Sequence, residues 1–177
     1  GTTEVAVICS LSVSYWESIR VAGDEMDEAI AHYIREKSNL NIDIFEAERV
    51  KKTIGCVSSL PEKIELEVRG KDSTTGMPKT VRLDSEEIRE SLQSTLMDIV
   101  RAIRKTLEHI SPASAADIYD RGIVLAGGGA LLHGLAPFIQ KETQLPVRLA
   151  EDPLTAIVRG ASIVLENFSR YHNVCML

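Results

Sequence analysis

Two glycine-led stretches hold the residue types that could cradle a phosphorylated ligand. Ile123-Val124-Leu125-Ala126 is an apolar run with β-branched members. Gly127, Gly128 and Gly129 follow at once, and Ala130-Leu131-Leu132 then opens a helical pattern. A buried strand emptying into a glycine turn and then a helix is a common construction for a nucleotide site. The bare backbone lets a flat base or a phosphate come close. The same triplet also reads as a plain tight turn. The second stretch is Gly1-Thr2-Thr3, which runs straight into an apolar strand, Glu4 to Ile8. A third group, Glu48, Arg49 and Lys51, stands on a short helical pattern, and by spacing alone it is surface charge.

The elements that position these groups can be taken in order. After the first strand, Cys9 to Ser18 fits a hairpin leading into a strand at Ser18 to Ala22, with Trp16 as a packed aromatic. Gly23-Asp24 starts a helix whose Met26, Ala29, Ile30, Tyr33 and Ile34 share a face, with acid in its first turn to suit the helix dipole. Ser38 to Ile42 is expected to be loop. Asp43 and Glu46 have capping-box spacing for a helix to about Ile54, stopped by Gly55. Lys63 to Arg69 alternates as a half-buried strand. It turns through Gly70 to Pro78 and returns as Thr80 to Leu83. Asp84 and Glu87 cap a long helical rhythm through Ile88, Leu92, Leu96, Ile99 and Ile103. Ser91 and Ser94 leave a break open, and Pro112 ends the run. Past the glycine loop come a helix near Pro137 to Thr143, a strand at Val147 to Ala150, and a last helix from Leu154 to Phe168. That helix is capped by Asp152-Pro153, with Ile157, Ala161, Val164 and Phe168 on one side.

Composition narrows the function. The net charge of −6 comes without a basic stripe, which argues against a nucleic-acid partner. Cys9, Cys56 and Cys175 are odd in number and far apart, so a reducing compartment is expected rather than a disulfide framework. No run approaches the roughly 18 apolar residues of a membrane span. The histidines 32, 109, 133 and 172 are scattered, and the triplet is not the dinucleotide G-x-G-x-x-G. Residues 1–20 and 92–177 carry the apolar strands with covering helices. Residues 21–91 are more charged, hold the hairpin, and look like an insertion.

Six segments carry a family resemblance: GTTEVAVI at 1–8, IRVAGDEMDEAI at 19–30, EAERVKKTIG at 46–55, IELEVRGKD at 64–72, GIVLAGGGALLHGL at 122–135 and AEDPLTAIVRGASIVLEN at 150–167. In this order they resemble the C-terminal half of the MreB family, bacterial actin-like filament proteins that determine rod shape. The resemblance implies an α/β fold, one half of an actin-like (ribonuclease H-like) ATPase. A mixed sheet flanked by helices forms the inner nucleotide-binding subdomain (1–20 and 92–177). A smaller α+β outer subdomain (21–91) is inserted into it.

The resemblance also implies roles. Gly1, Thr2 and Thr3 would end the second phosphate loop and cradle the β- and γ-phosphates of ATP, with Thr2 positioning the attacking water. Glu48, Arg49, Val50 and Lys51 would border the ribose and adenine. Glu48 would accept from ribose hydroxyls, and Lys51 would lie beside base or sugar. Gly127, Gly128, Gly129, Ala130 and Leu131 would lay bare backbone against the nucleoside. In the family an acid and two more glycines precede the position of Gly1, and that acid serves Mg2+, so no ligand for the metal is expected in this chain. The first phosphate hairpin, the catalytic glutamate and the membrane-binding segment belong to the other half. The chain is therefore expected to be the C-terminal part of a longer protein, binding ATP or ADP weakly at best and hydrolysing nothing alone. The whole would polymerise with itself as membrane-associated filaments in the cytoplasm and work with cell-wall synthesis proteins. Two alternatives stay open: a non-hydrolysing filament interaction fragment, or half of a related heat-shock chaperone or sugar kinase. The latter would lack the Gly-Asp-Glu-Met-Asp and Glu-Arg-Val-Lys segments present here.

Overall fold

In a computed structural model, residues 1–9 and 12–171 are described. Cys175, His172 and the end of the patternless tail lie outside them. The chain divides into two compact units, the division falling between Asp98 and Ile99 inside one long helix.

The first unit comprises Gly1, Val21–Asp98 and Leu132–Leu135. Helix α1 (Gly23–Ser38) buries Met26, Ile30 and Ile34. The Glu25 carboxylate accepts from the Ala22 N–H at 2.8 Å, satisfying a donor at the helix start. The chain leaves α1 through Asn39 in the left-handed region. The segment expected to be loop then contains a two-residue strand, β3 (Leu40–Asn41), which pairs with Asp72 and Lys71. Helix α2 (Ile44–Ile54) starts where the Asp43 carboxylate accepts from the Glu46 N–H, and it buries Ala47, Val50 and Ile54 as the spacing predicts. Strands β4 (Glu65–Asp72) and β5 (Pro78–Asp84) form the expected antiparallel hairpin, with Val68 and Leu83 buried. Asp84 caps α3 (Ser85–Glu108) by accepting from the N–H groups of Glu86 and Glu87. The helix does not break at Ser91, whose hydroxyl is satisfied by the Ile88 carbonyl at 2.7 Å.

The second unit comprises residues 2–20, 99–131 and those from Ala136 on. Strands β1 (Thr3–Cys9) and β2 (Ser12–Ile19) pair antiparallel, so β2 starts well before the expected Ser18. Alternation along β2 puts Trp16 on the open face opposite Ala6. Trp16 is 50% exposed, not packed. The covered face is tied to the end of α3. Tyr15 stacks on His109 with ring centroids 4.6 Å apart, and Glu17 meets Lys105 at 2.6 Å. Pro112 does end the long helix, but it also begins another, α4 (Pro112–Arg121). Ser111 is its cap and accepts from the Ser114 N–H. A proline in the first turn loses no hydrogen bond, so the residue that stops one helix starts the next. Strands β6 (Ile123–Leu125) and β7 (Val147–Leu149) run parallel and are half-exposed rather than buried, and α5 (Leu135–Thr143) leads from one to the other. The last long helix is shorter than expected. It is α6 (Ala156–Glu166), with Thr155 at its cap and Asp152 in a left-handed turn before it. The side proposed to be covered is open, Ile157 being 70% exposed. A single turn, α7 (Phe168–Tyr171), follows.

Candidate functional site

The glycine loop is set by the parallel pair. The Ala150 N–H donates to the Leu125 carbonyl at 2.8 Å, which holds the end of β6 against the exit of β7. Gly127 then turns at φ +84, where an L side chain is strained, and its N–H donates to the Pro153 carbonyl at 2.7 Å. Gly128–Leu131 is a single 3-10 turn rather than the start of an α-helix. A Cβ on Gly127 or Gly129 would meet nothing within 4 Å, so this backbone borders open space. Ala130 is buried and anchors the turn, while Leu131 is exposed. Within this unit the five residues Gly127–Leu131 thus form one continuous ledge.

The four expected residues on α2, in the first unit, separate into four environments. Glu48 lies outward and pairs with Lys52 at 2.7 Å. That ammonium, with a smaller pull from Lys51, holds its carboxyl below the usual range. Arg49 turns the other way. Its guanidinium donates to both oxygens of Glu46 and to the Glu67 carbonyl of β4. Val50 is fully buried, so it supports α2 from the core and offers a ligand no side-chain surface. Lys51 reaches back to the start of α1, donating to the Gly23 carbonyl and to Asp27, each at 2.8 Å.

Gly1 comes to the same place. Its amino group contacts the Asp24 carboxylate, and a Cβ on Gly1 would lie 3.5 Å from Ala22. Gly1 and Lys51, two residues far apart in sequence, therefore both meet the first turn of α1. Sequence reasoning treated that turn only as acid suiting a dipole. It did not show that Asp24 faces Gly1 and Asp27 faces Lys51. Helical spacing could have shown only that Asp27 faces inward, since it sits on the same side of α1 as the core residues Ile30 and Ile34. Thr2 is exposed and Thr3 is half-exposed where β1 pairs with Ile19.

The segment just after the ledge belongs to the first unit. The His133 carbonyl accepts from the Val57 N–H at 2.9 Å, and a Cβ on Gly134 would stand 2.8 Å from the Ser58 hydroxyl. The His32 and His133 side chains are exposed. Among the described residues, no three His, Cys, Asp or Glu side chains gather as a metal would need, and no helix is long and apolar enough to cross a membrane.

A family model described as MreB/Mbl protein matches residues 1–173. The cell shape-determining protein MreB of Escherichia coli is 46% identical over 166 residues, which are 94% of this chain and 48% of that protein. A crystal structure of MreB 5 of Spiroplasma citri bound to AMPPNP superposes with a TM-score of 0.92 at 34% identity, over 96% of this chain and 51% of that one. A MamK double helical filament gives a TM-score of 0.81 at 26% identity, over 94% of this chain and 51% of that one. The chain spans about half the length of each of these relatives. Its fold is the actin-like mixed α/β fold, with helices flanking sheets, that the sequence led us to expect. With its family model matched almost end to end, the chain belongs to the MreB/Mbl protein family.

Proposed function

We propose that this chain supplies the adenosine-side half of a cytoskeletal, actin-like protein that binds ATP and ADP and polymerises with itself to maintain cell shape. The observation that carries the reading is the ledge Gly127–Leu131, bare backbone bordering open space, in a chain that superposes on a relative bound to AMPPNP. In this reading Gly127, Gly128, Gly129, Ala130 and Leu131 lie against the nucleoside. Glu48 accepts from ribose hydroxyls, Lys51 donates beside them, and Gly1, Thr2 and Thr3 turn N–H groups to the phosphates, with Thr2 nearest the attacked one. Arg49 and Val50 hold α2 in shape, through Glu46 and the core, rather than touch the ligand. Mg2+ is assigned to no residue of this chain.

Self-assembly is supported by the likeness to a MamK filament, and the part in cell shape by the name of the Escherichia coli relative. Filaments on the cytoplasmic face of the membrane, working with cell-wall synthesis proteins, complete the proposal for the full-length protein. ATP hydrolysis belongs to that protein and not to this chain alone. Light scattering of the full-length protein with and without ATP tests the reading. Scattering that rises only with ATP is expected, and scattering indifferent to nucleotide would leave a passive filament-joining role instead.

A further inference from the structure

Strand β4 has one edge that β5 does not use. The Ser85 N–H donates to the Ile64 carbonyl and the Asp72 N–H to the Met77 carbonyl, both at 2.9 Å, so the even-numbered residues turn their main-chain groups toward β5. Register between the two strands is unbroken from Glu65 to Lys71, so the odd-numbered residues turn theirs away. Lys71 meets Asn41 of β3 on that side. β3 then ends, and among the described residues no strand pairs with this edge at Arg69, Glu67 or Glu65. An open edge of this kind is a template for another chain.

Two side chains of α2 occupy the edge instead. Arg49 Nη2 donates to the Glu67 carbonyl at 3.1 Å. The same guanidinium grips the Glu46 carboxylate at 2.6 and 2.7 Å. Arg49 above all, and the Arg69 N–H in smaller part, hold the Glu46 carboxyl below its usual range. One residue of a parallel strand would engage these same two main-chain groups, its N–H on the Glu67 carbonyl and its carbonyl on the Arg69 N–H. The ion pair thus has the outline of a missing strand residue. Stability alone is a weak reason for it, because the Arg49 side chain is 44% exposed and a pair so open to water contributes little.

A groove of about 900 Å³ borders the edge, lined from α2 by Phe45, which is 77% exposed, and from β4 by Glu67, Arg69 and Lys71. The charges along β4 suit a second copy of the chain. Two such edges set antiparallel about Glu67 would bring Glu65 of each copy opposite Arg69 of the other, with Glu67 against itself as the one like-charge pair.

We propose that the Glu46–Arg49 pair is an autoinhibitory contact, a side-chain stand-in for a strand that withholds the edge of β4 from the same edge of a second copy. With the pair gone, two copies join through β4 across a twofold axis. A contact of this symmetry closes at two copies, unlike the open-ended growth of a filament.

The test is sedimentation velocity of the full-length protein without nucleotide, unsubstituted and as Arg49→Ala. At the same concentration, Arg49→Ala is expected to sediment at twice the unsubstituted mass. Adding Arg69→Glu puts like charges opposite each other and is expected to return the mass to the unsubstituted value. Adding Glu65→Arg as well restores the opposite charges and is expected to bring the doubled mass back. If Arg49→Ala fails to fold, Glu46→Ala replaces it, because the guanidinium then loses its anchor, and the same doubling is expected. An unchanged mass in Arg49→Ala, or in Glu46→Ala where that stands in, would overturn the proposal. So would a doubled mass that ignores Arg69→Glu, or a loss that Glu65→Arg fails to repair, since the copies would then be joining elsewhere.

Discussion

Replacing Gly122 with alanine should damage the support of the glycine ledge more than any change in the ledge itself. Gly122 closes α4 at φ +73 and ψ −162, and its N–H donates to the Ile118 carbonyl at 2.8 Å. Backbone in that region is essentially reserved for glycine, and another residue held there costs about 1–3 kcal/mol. There is also no room. A Cβ would lie 2.1 Å from the Pro146 carbonyl oxygen, the very atom that accepts from the Ile123 N–H at 2.7 Å. The methyl must push that carbonyl away and break the first rung between β6 and β7, a loss of about 1 kcal/mol. Together these come to about 2–4 kcal/mol, a large part of the ~5–15 kcal/mol that holds a domain folded. With a urea slope of about 2 kcal/mol per molar, the unfolding midpoint should fall by about 1–2 M. Gly129→Ala is the internal control, because its Cβ would meet nothing and its φ is ordinary. Equal midpoints for the two variants would refute the claim that β6 and β7 are held by this close approach.

Three further outcomes follow from the packing and the charges. Asp43→Ala removes the cap of α2, the helix that carries Glu48 and Lys51, and should cost about 1 kcal/mol in urea unfolding. Ile30→Ala, at a fully buried site, should cost about 2–5 kcal/mol, whereas Ile157→Ala on the open face of α6 should change stability by no more than about 0.5 kcal/mol. Asp72 accepts from the Thr75 and Thr74 N–H groups and from Lys79, which together hold its carboxyl far below the usual range. Its folded-state pKa is depressed, so its stabilising effect is complete above the ordinary aspartate range near pH 4 and fades as pH falls toward the folded value. Stability measured down that acid limb should therefore flatten in Asp72→Ala relative to the unsubstituted chain.

Features set by local chemistry were legible in the sequence. The Asp43 and Asp84 caps, the α1 and α2 faces and the β4–β5 hairpin needed only nearest-neighbour spacing. Features set by what lies across the fold were not. Trp16 looks like core by residue type, but register with β1 places it on the open face of its hairpin. Pro112 reads as a stop because the preceding rhythm ends there. The serine cap before it, which turns the same proline into a start, competes with no apolar pattern strong enough to notice. β3 exists only because β4 runs on to Asp72 and offers it partners. The apolar side of α6 has the spacing of a packed face, yet spacing says nothing of whether another surface is there to meet it. At the candidate site, the ledge was legible as glycines after a strand. The grouping of Gly1, Asp24, Gly23, Asp27 and Lys51 was not, because it depends on how two helices pack.

The central claim is that this chain holds the adenosine side of a nucleotide. It is tested most directly by recording amide spectra of the isotope-labelled chain while ADP is added. Weak, saturable shifts are expected at Gly127 to Leu131, at Glu48 and Lys51, and at Thr2 and Thr3, with the β4–β5 hairpin unmoved. Shifts confined to other segments, or none at millimolar ADP, would contradict the account.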